Sequence, residues 1–260
     1  MAKKLGFALG AGGSRGVAHV GFLKAMDEEG IKPDYITGSS MGSVVGSCYS
    51  LGLTPDFIMK EITKLKMSDL FDLSINPFGN GAILRAQKMR KKLQNYLKDY
   101  TFNDTKIPFR TVAVDLVSGQ AILFKGKDKL IDGVSASSSI PGVFKPVQIG
   151  DKMLVDGGVR TRLPIDEVKD MGADVVVTVD VLGGIRPKTK RYNIGSVIVR
   201  TSEIYDDEIV RLRLLLQKPD LYLAPELGDM SPFKFNGIKD AYEVGYKLGK
   251  EHAEEIKKLL

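Results

Sequence analysis

Within its first fifty residues the chain twice runs from a short apolar strand, through a turn of small residues, into a helix. Leu5 to Leu9 leads into Gly10-Ala11-Gly12-Gly13-Ser14-Arg15-Gly16 and then into Val17 to Glu29 at helical spacing, closed by Gly30. Asp34 to Thr37 leads into Gly38-Ser39-Ser40-Met41-Gly42 and a helix of Gly, Ser, Val and Cys that ends near Leu51. A helix between two strands carries the chain back to the end of the sheet where the first strand began, so the strands run parallel and the helices cover the faces. The expected class is α/β, a three-layer α/β/α arrangement on a mainly parallel central sheet.

The second turn has the spacing of a nucleophile elbow. A serine in a tight strand-to-helix turn holds its hydroxyl clear of the backbone, and Gly38 and Gly42 leave room on either side of Ser40. Five-residue patterns of small residues recur by chance, so this reading also requires an oxyanion hole and a base from elsewhere in the chain.

The first turn suits two functions, because amides at a helix N-terminus face whatever lies above it and the helix dipole favours negative charge there. As a dinucleotide fingerprint its register is imperfect: starting on Gly10 the last position falls on Arg15, and ending on Gly16 the first falls on Ala11. The second strand also ends in Gly38-Ser39-Ser40, where a ribose-binding acid would stand. As an oxyanion hole the turn is better placed, since two adjacent parallel strands set the Gly12-Gly13 amides beside Ser40. Tight helix packing alone would use the same glycines.

A serine hydroxyl is a poor nucleophile without a base. The chain has two histidines. His19, inside the first helix, reads as a packing residue, and His252 lies on the charged face of the last helix. The order Ser40, an acid, then His252 matches an α/β-hydrolase triad, yet that fold places several strands before its elbow and here one full strand precedes it. Asp156 is the best-placed carboxylate. It follows Met153-Leu154-Val155 and precedes Gly157-Gly158, where the backbone can turn sharply and present the side chain. An aspartate is a weaker base than histidine by roughly 2 to 3 pKa units, so its surroundings must be dry. Asp115 and Asp180, each ending an apolar strand, are rivals whose plainer role is to cap the turns that follow.

Further along, Thr54 caps a helix to Lys66 with Pro55 in its first turn, and residues 68 to 82 read as an apolar loop forming part of a lid. Ile83 to Tyr100 reads as a basic amphipathic helix carrying Arg85, Lys88, Arg90, Lys91 and Lys92. Arg110 to Asp115 with Gln120 to Phe124, and Val147 to Ile149 with Met153 to Val155, read as two hairpins flanking a short helix from Leu130 to Ser137. Ile165 to Met171 is helical, and Asp174 to Val181 is a β-branched strand of the sheet centre. A mobile basic loop from Gly183 to Tyr192, a long helix from Asn193 to Gln217, a strand from Leu221 to Ala224 and a helix from Lys239 to Leu260 complete the chain. With no repeat and no linker, residues 1 to 260 read as a single domain.

Lysine plus arginine exceed aspartate plus glutamate by 38 to 32, a net charge of +6 that favours anionic surfaces. The basic helix around 85 to 92 reads first as a solvated face; with the loop at 186 to 191 it motivates a second reading, peripheral contact with an anionic membrane, whereas no motif for nucleic acid accompanies the charge. Cys48 is the one cysteine, which excludes an intramolecular disulfide and a thiol metal site, and it reads as core. The apolar run at 5 to 9 is too short for a signal peptide or a membrane span, so a cytoplasmic location is expected.

Four blocks in order resemble those of the patatin-like phospholipases: Gly12-Gly13-Ser14-Arg15-Gly16, Gly38-Ser39-Ser40-Met41-Gly42, Ala136 to Pro146, and Asp156-Gly157-Gly158. The resemblance covers about residues 5 to 182 and is weaker over the C-terminal helical part, about 193 to 260. It implies a patatin-like fold and hydrolysis of fatty acyl esters of phospholipids or lysophospholipids. It further implies Ser40 as nucleophile, Asp156 as base of a Ser-Asp dyad, and the amides of Gly12, Gly13 and Ser14 as oxyanion hole, without metal or other cofactor. Ala11 departs from the glycine of many members; it keeps the amide, so it matters only if that position needs positive φ. The alternative on the same fold is a weakly or non-catalytic module that senses lipid.

Overall fold

The computed structural model describes residues 2–65, 87–183, 194–228, 230–231 and 237–260. An eight-stranded sheet runs through these residues, with strands β1 (Leu5–Leu9), β2 (Tyr35–Gly38), β3 (Phe109–Asp115), β4 (Ala121–Phe124), β5 (Val147–Ile149), β6 (Lys152–Asp156), β7 (Val175–Val179) and β8 (Leu221–Leu223). β3, β2, β1, β7 and β8 are neighbours in that order and parallel, whereas β4, β5 and β6 pair antiparallel. The result is a mostly parallel mixed sheet with helices on both sides, the α/β arrangement expected from the element order. β1 and β7 are buried along their whole length, which is why their sequences run apolar instead of alternating.

Period-two alternation sends successive side chains of β1 to opposite faces. Leu5, Phe7 and Leu9 enter the larger core, built with α1 (Ala18–Glu28), α2 (Met41–Ser50), α3 (Pro55–Thr63), α4 (Gln87–Leu97), α5 (Leu130–Ser137) and, later in the chain, α8 (Ile238–Leu259). Ala8, between them, joins the smaller core on the other face with Ile165 and Val168 of α6 (Ile165–Lys169) and Val210 of α7 (Ile194–Gln217). α8 crosses α1 with almost nothing between the backbones: a Cβ on Gly245 would stand 2.0 Å from the Ala18 carbonyl oxygen.

Local expectations meet these elements closely. Thr54 caps α3 by accepting from the Phe57 amide, with Pro55 opening the helix. The first helix begins as a 3-10 turn over Gly13–Val17, and among the described residues α4 runs from Gln87 to Leu97, inside the expected span of Ile83 to Tyr100. It ends as Lys98 takes a positive φ of 45°. The expected apolar lid loop at 68 to 82, Arg85, and the basic loop at 186 to 191 lie outside the described residues. Of the basic residues expected on α4, Arg90 is ion-paired with Asp132 of α5. Among the described residues no helix is long and apolar enough to cross a membrane.

The branching at β3 positions the site. Thr111 is paired with both Gly38 and Phe124, and Ala113 with both Ile122 and Asp156. A strand has two edges, so β4 occupies one and β2 and β6 share the other, β2 along its first half and β6 along its second. β2 runs parallel to β3 and β6 antiparallel, so their C-terminal ends, Gly38 and Asp156, point at each other.

Candidate active site

The chain leaves β2 at Gly38 and turns into α2 within two residues. Ser40 sits at this turn with φ 52° and ψ −122°, a region that costs an L-residue about 1 to 3 kcal/mol. The close approach explains the flanking glycines: a Cβ on Gly42 would stand 2.2 Å from the Leu9 carbonyl oxygen, and one on Gly38 2.4 Å from that of Gly42. The strained backbone is braced from α5 and the residue after it. The Ser40 amide donates to Ser137 Oγ at 3.0 Å, and the Ser40 carbonyl accepts from Ser138 Oγ at 3.3 Å and Ser43 Oγ at 2.7 Å.

Ser40 Oγ donates to Asp156 Oδ2 at 2.6 Å, and both residues are buried. The other carboxylate oxygen, Oδ1, accepts from the Gly158 amide at 2.7 Å, so the turn at Gly157-Gly158 aims the side chain. The Asp156 amide donates to the Ser139 carbonyl at 2.9 Å, which ties this strand end to the same serine run that braces the elbow. Burial pushes the Asp156 carboxyl up to about 7; the hydrogen bonds from Ser40 and Gly158 oppose that, and the charge of Asp206 adds to it. A carboxylate poised there accepts a proton near neutral pH.

The glycine turn lies against this pair. Ala11 is held by a 3.0 Å bond from its amide to the Arg162 carbonyl, and its φ is not positive, so its methyl group fits without strain. Gly12 and Gly13 line a cavity of about 910 Å³ together with Ser40 and Asp156. Among the described residues their two amides donate to no backbone or side-chain acceptor, and Gly13 has φ 56°, a glycine conformation. Ser14 and Arg15 turn the other way: Ser14 Oγ donates to the Ser231 carbonyl at 3.0 Å, and the buried Arg15 guanidinium donates to the carbonyls of Met230 and Gly228. Gly16 lies under Met41, where a Cβ would be 2.4 Å from Met41 Cγ. α7 lines the same cavity through Tyr205, Asp206 and Ile209.

The rival bases are engaged elsewhere. Asp115 accepts from the amides of Val117 and Ser118 and from Ser118 Oγ, capping the β3–β4 turn. Asp180 is ion-paired with Arg162 at 2.8 Å and accepts from Tyr222 Oη. His19 is fully buried, its Nε2 2.8 Å from the Gly10 carbonyl, and burial lowers its pKa to about 4. That contact makes it a support beneath the glycine turn. His252 pairs with Glu255 on α8. Cys48 is buried, its thiol pushed up to about 12 by burial. Among the described residues no cluster of three or more His, Cys, Asp or Glu side chains could hold a metal ion. The bracing serines 137 to 139, Arg162 and Asp206 have no catalytic spacing in sequence; the Ser-rich run is the one hint of them.

The same blocks of sequence tie the chain to known proteins. The Patatin family model, described as patatin-like phospholipase, matches residues 7–169. An uncharacterized NTE family protein of Mycobacterium tuberculosis is 31% identical over 217 residues, spanning 80% of this chain and 59% of that protein. Lysophospholipase nte1 of Neurospora crassa is 26% identical over 98% of this chain but 18% of its own length. The chain thus spans about three fifths of the mycobacterial relative and under a fifth of the fungal one. Among solved structures, VipD from Legionella pneumophila matches 98% of this chain and 66% of its own with TM-score 0.61 at 13% identity, a likeness of fold.

Proposed function

The chain belongs to the patatin-like phospholipase family, and on that footing we propose that it is a serine acyl hydrolase cleaving fatty acyl esters of phospholipids, lysophospholipids or related lipids. The observation that carries this reading is the 2.6 Å bond from Ser40 Oγ to a buried Asp156 carboxylate, in a cavity that also presents the Gly12 and Gly13 amides.

In the proposed reaction Ser40 Oγ attacks the ester carbonyl carbon while its proton passes to Asp156 Oδ2. The carbonyl oxygen becomes an oxyanion, and amides of the glycine turn donate to it; one such donor typically contributes about 3 to 4 kcal/mol to the transition state. Collapse breaks the bond to the alcohol oxygen, which takes the proton back from Asp156 and leaves as the lysophospholipid or, from a lysophospholipid, as the deacylated glycerophosphodiester. The acyl group remains on Ser40. Asp156 then takes a proton from water as that water attacks the acyl-enzyme, and returns it to Ser40 Oγ on release of the fatty acid. The volume and the Ile140, Pro141, Val143, Val159 and Ile209 lining suit an acyl chain. We place this activity in the cytoplasm, at the surface of a membrane that supplies the lipid.

The test is labelling by a fluorophosphonate, which reacts with activated serines. Ser40 is the expected adduct, and Ser40→Ala is expected to lose both label and hydrolysis of acyl esters. Label that survives in Ser40→Ala overturns the assignment.

A further inference from the structure

The lining of the cavity that holds Ser40 and Asp156 carries a second set of charges. Arg162 follows the Asp156 turn and is buried, 4% exposed, with its Nη2 2.8 Å from Asp180 Oδ2 at the end of β7. Its Nη1 reaches across to α7, donating to Asp206 and, at 3.0 Å, to Asp207. Its backbone carbonyl accepts from Ala11 in the glycine turn. One residue therefore ties three parts together: the glycine turn, the end of the central strand, and the helix that closes the cavity.

α7 depends on such ties. Among its residues whose burial is described, Val210 and Gln217 are the buried ones, and its C-terminal end is pinned by Gln217 to Asp166 and by Lys169 to the Gln217 carbonyl. Nearer its middle, the Arg162 cluster fixes the helix and turns Asp206 into the cavity that holds Ser40 and Asp156. We propose that Arg162 and Asp206 are positioning residues of this site, the guanidinium holding a second carboxylate, on α7, in the cavity of the Ser40–Asp156 pair. The inference rests on the reading of Asp156 as base.

The consequence is electrostatic. Arg162 carries one positive charge against three carboxylates, so the cluster is net negative, and Asp206 and Asp207 of it line the cavity that holds Asp156. Burial works against the guanidinium's charge, but Asp180, Asp206 and Asp207 outweigh it and keep it protonated. Burial pushes Asp206 upward, Arg162 pulls it down, and Asp180 and Asp207 push it up. The other charges on the cavity wall, Arg200 and Glu203, pair with each other at 3.0 Å. A carboxylate in the same cavity as Asp156 disfavours its ionised form and so strengthens it as a proton acceptor.

The test is the acid limb of the pH profile of kcat/KM, measured on the full chain with a soluble acyl ester. Asp206→Asn removes the like charge and is expected to move the limb down by about half a unit. Arg162→Met leaves three uncompensated carboxylates and is expected to move it up, while Arg162→Lys keeps the charge and restores it towards wild type. Glu208→Gln, an exposed change on the same helix, is expected to leave it in place. A merely structural role lowers turnover without opposite shifts. An Asp206→Asn limb that stays put or moves up, in protein with wild-type circular dichroism, overturns the proposal. If wild type shows no acid limb, or Asp156→Asn keeps its turnover, the dyad reading falls and takes this inference with it.

Discussion

Ser40 and Asp156 stand 116 positions apart in sequence, and their side chains meet at 2.6 Å because β2 and β6 share one edge of β3 and run towards each other. The geometry leaves no slack. Asp156→Asn, which cannot take the Ser40 proton, is expected to lose about 10²- to 10⁴-fold in kcat, the usual range for a general base. Asp156→Glu is expected to do nearly as badly, since its extra methylene has no room between the β6 end and Oγ. His252→Ala, on the outer helix, is expected to keep most activity. Steady-state rates on one acyl ester check all three, and an active Asp156→Asn would return the base to another group.

If Asp156 acts as the proposed base, its burial to about 7 must show in the pH dependence. Below that value Asp156 already carries a proton and cannot accept another from Ser40. kcat/KM is therefore expected to rise with pH through about 7 and then level off. A profile flat from pH 5 to 8 would show that no group of this kind limits the reaction.

The parts of this site legible in sequence are those built from adjacent residues. The elbow is local, Gly38 to Gly42, and Asp156 follows an apolar strand and precedes two glycines, so local pattern makes Ser40 and Asp156 candidates, and the order of the four blocks singles them out from chance matches and from Asp115 and Asp180. Element order carries the fold for the same reason: each strand-turn-helix unit is local, and its right-handed crossover leaves few arrangements. The shared edge of β3 is not legible in this way, because it depends on pairings among three separate segments. Nor are the roles of Ser137 and Ser138, which reach Ser40 over 97 and 98 positions. Arg162, Asp206 and Asp207 look in sequence like ordinary solvated charges; that Arg162 is buried and Asp206 half-buried follows from where α7 lies against the β1–β7 face, while Asp207 stays exposed.

The glycine turn offers a change that separates rate from stability. Gly13 holds φ 56°, which alanine adopts at a cost of about 1 to 2 kcal/mol, and its amide borders the cavity. Alanine keeps the N–H, but relief of the strained φ turns that amide away from the oxyanion, so Gly13→Ala is expected to fold with a modestly lower Tm while kcat falls by roughly 10- to 10³-fold, at most the scale of losing one oxyanion donor. Full activity with an unchanged Tm would show that this position needs no glycine conformation to aim its amide.

The same buried carboxylate makes a prediction about stability that is independent of any substrate. The folded-state pKa of Asp156, about 7, lies above the ordinary 3.8 of an unfolded aspartate. Between these values the native state binds more protons than the unfolded state, so this group's contribution falls as pH rises from about 4 to 7 and stays low above. Asparagine carries no charge to bury and can still accept from the Gly158 amide. Asp156→Asn is therefore expected to be more stable than wild type at pH 8, by up to roughly 2 to 4 kcal/mol, and little different near pH 4. Thermal or urea unfolding of both proteins at the two pH values checks this. A stability difference that does not grow with pH would mean that Asp156 is not held in a dry site, and the base strength argued for it would go with it.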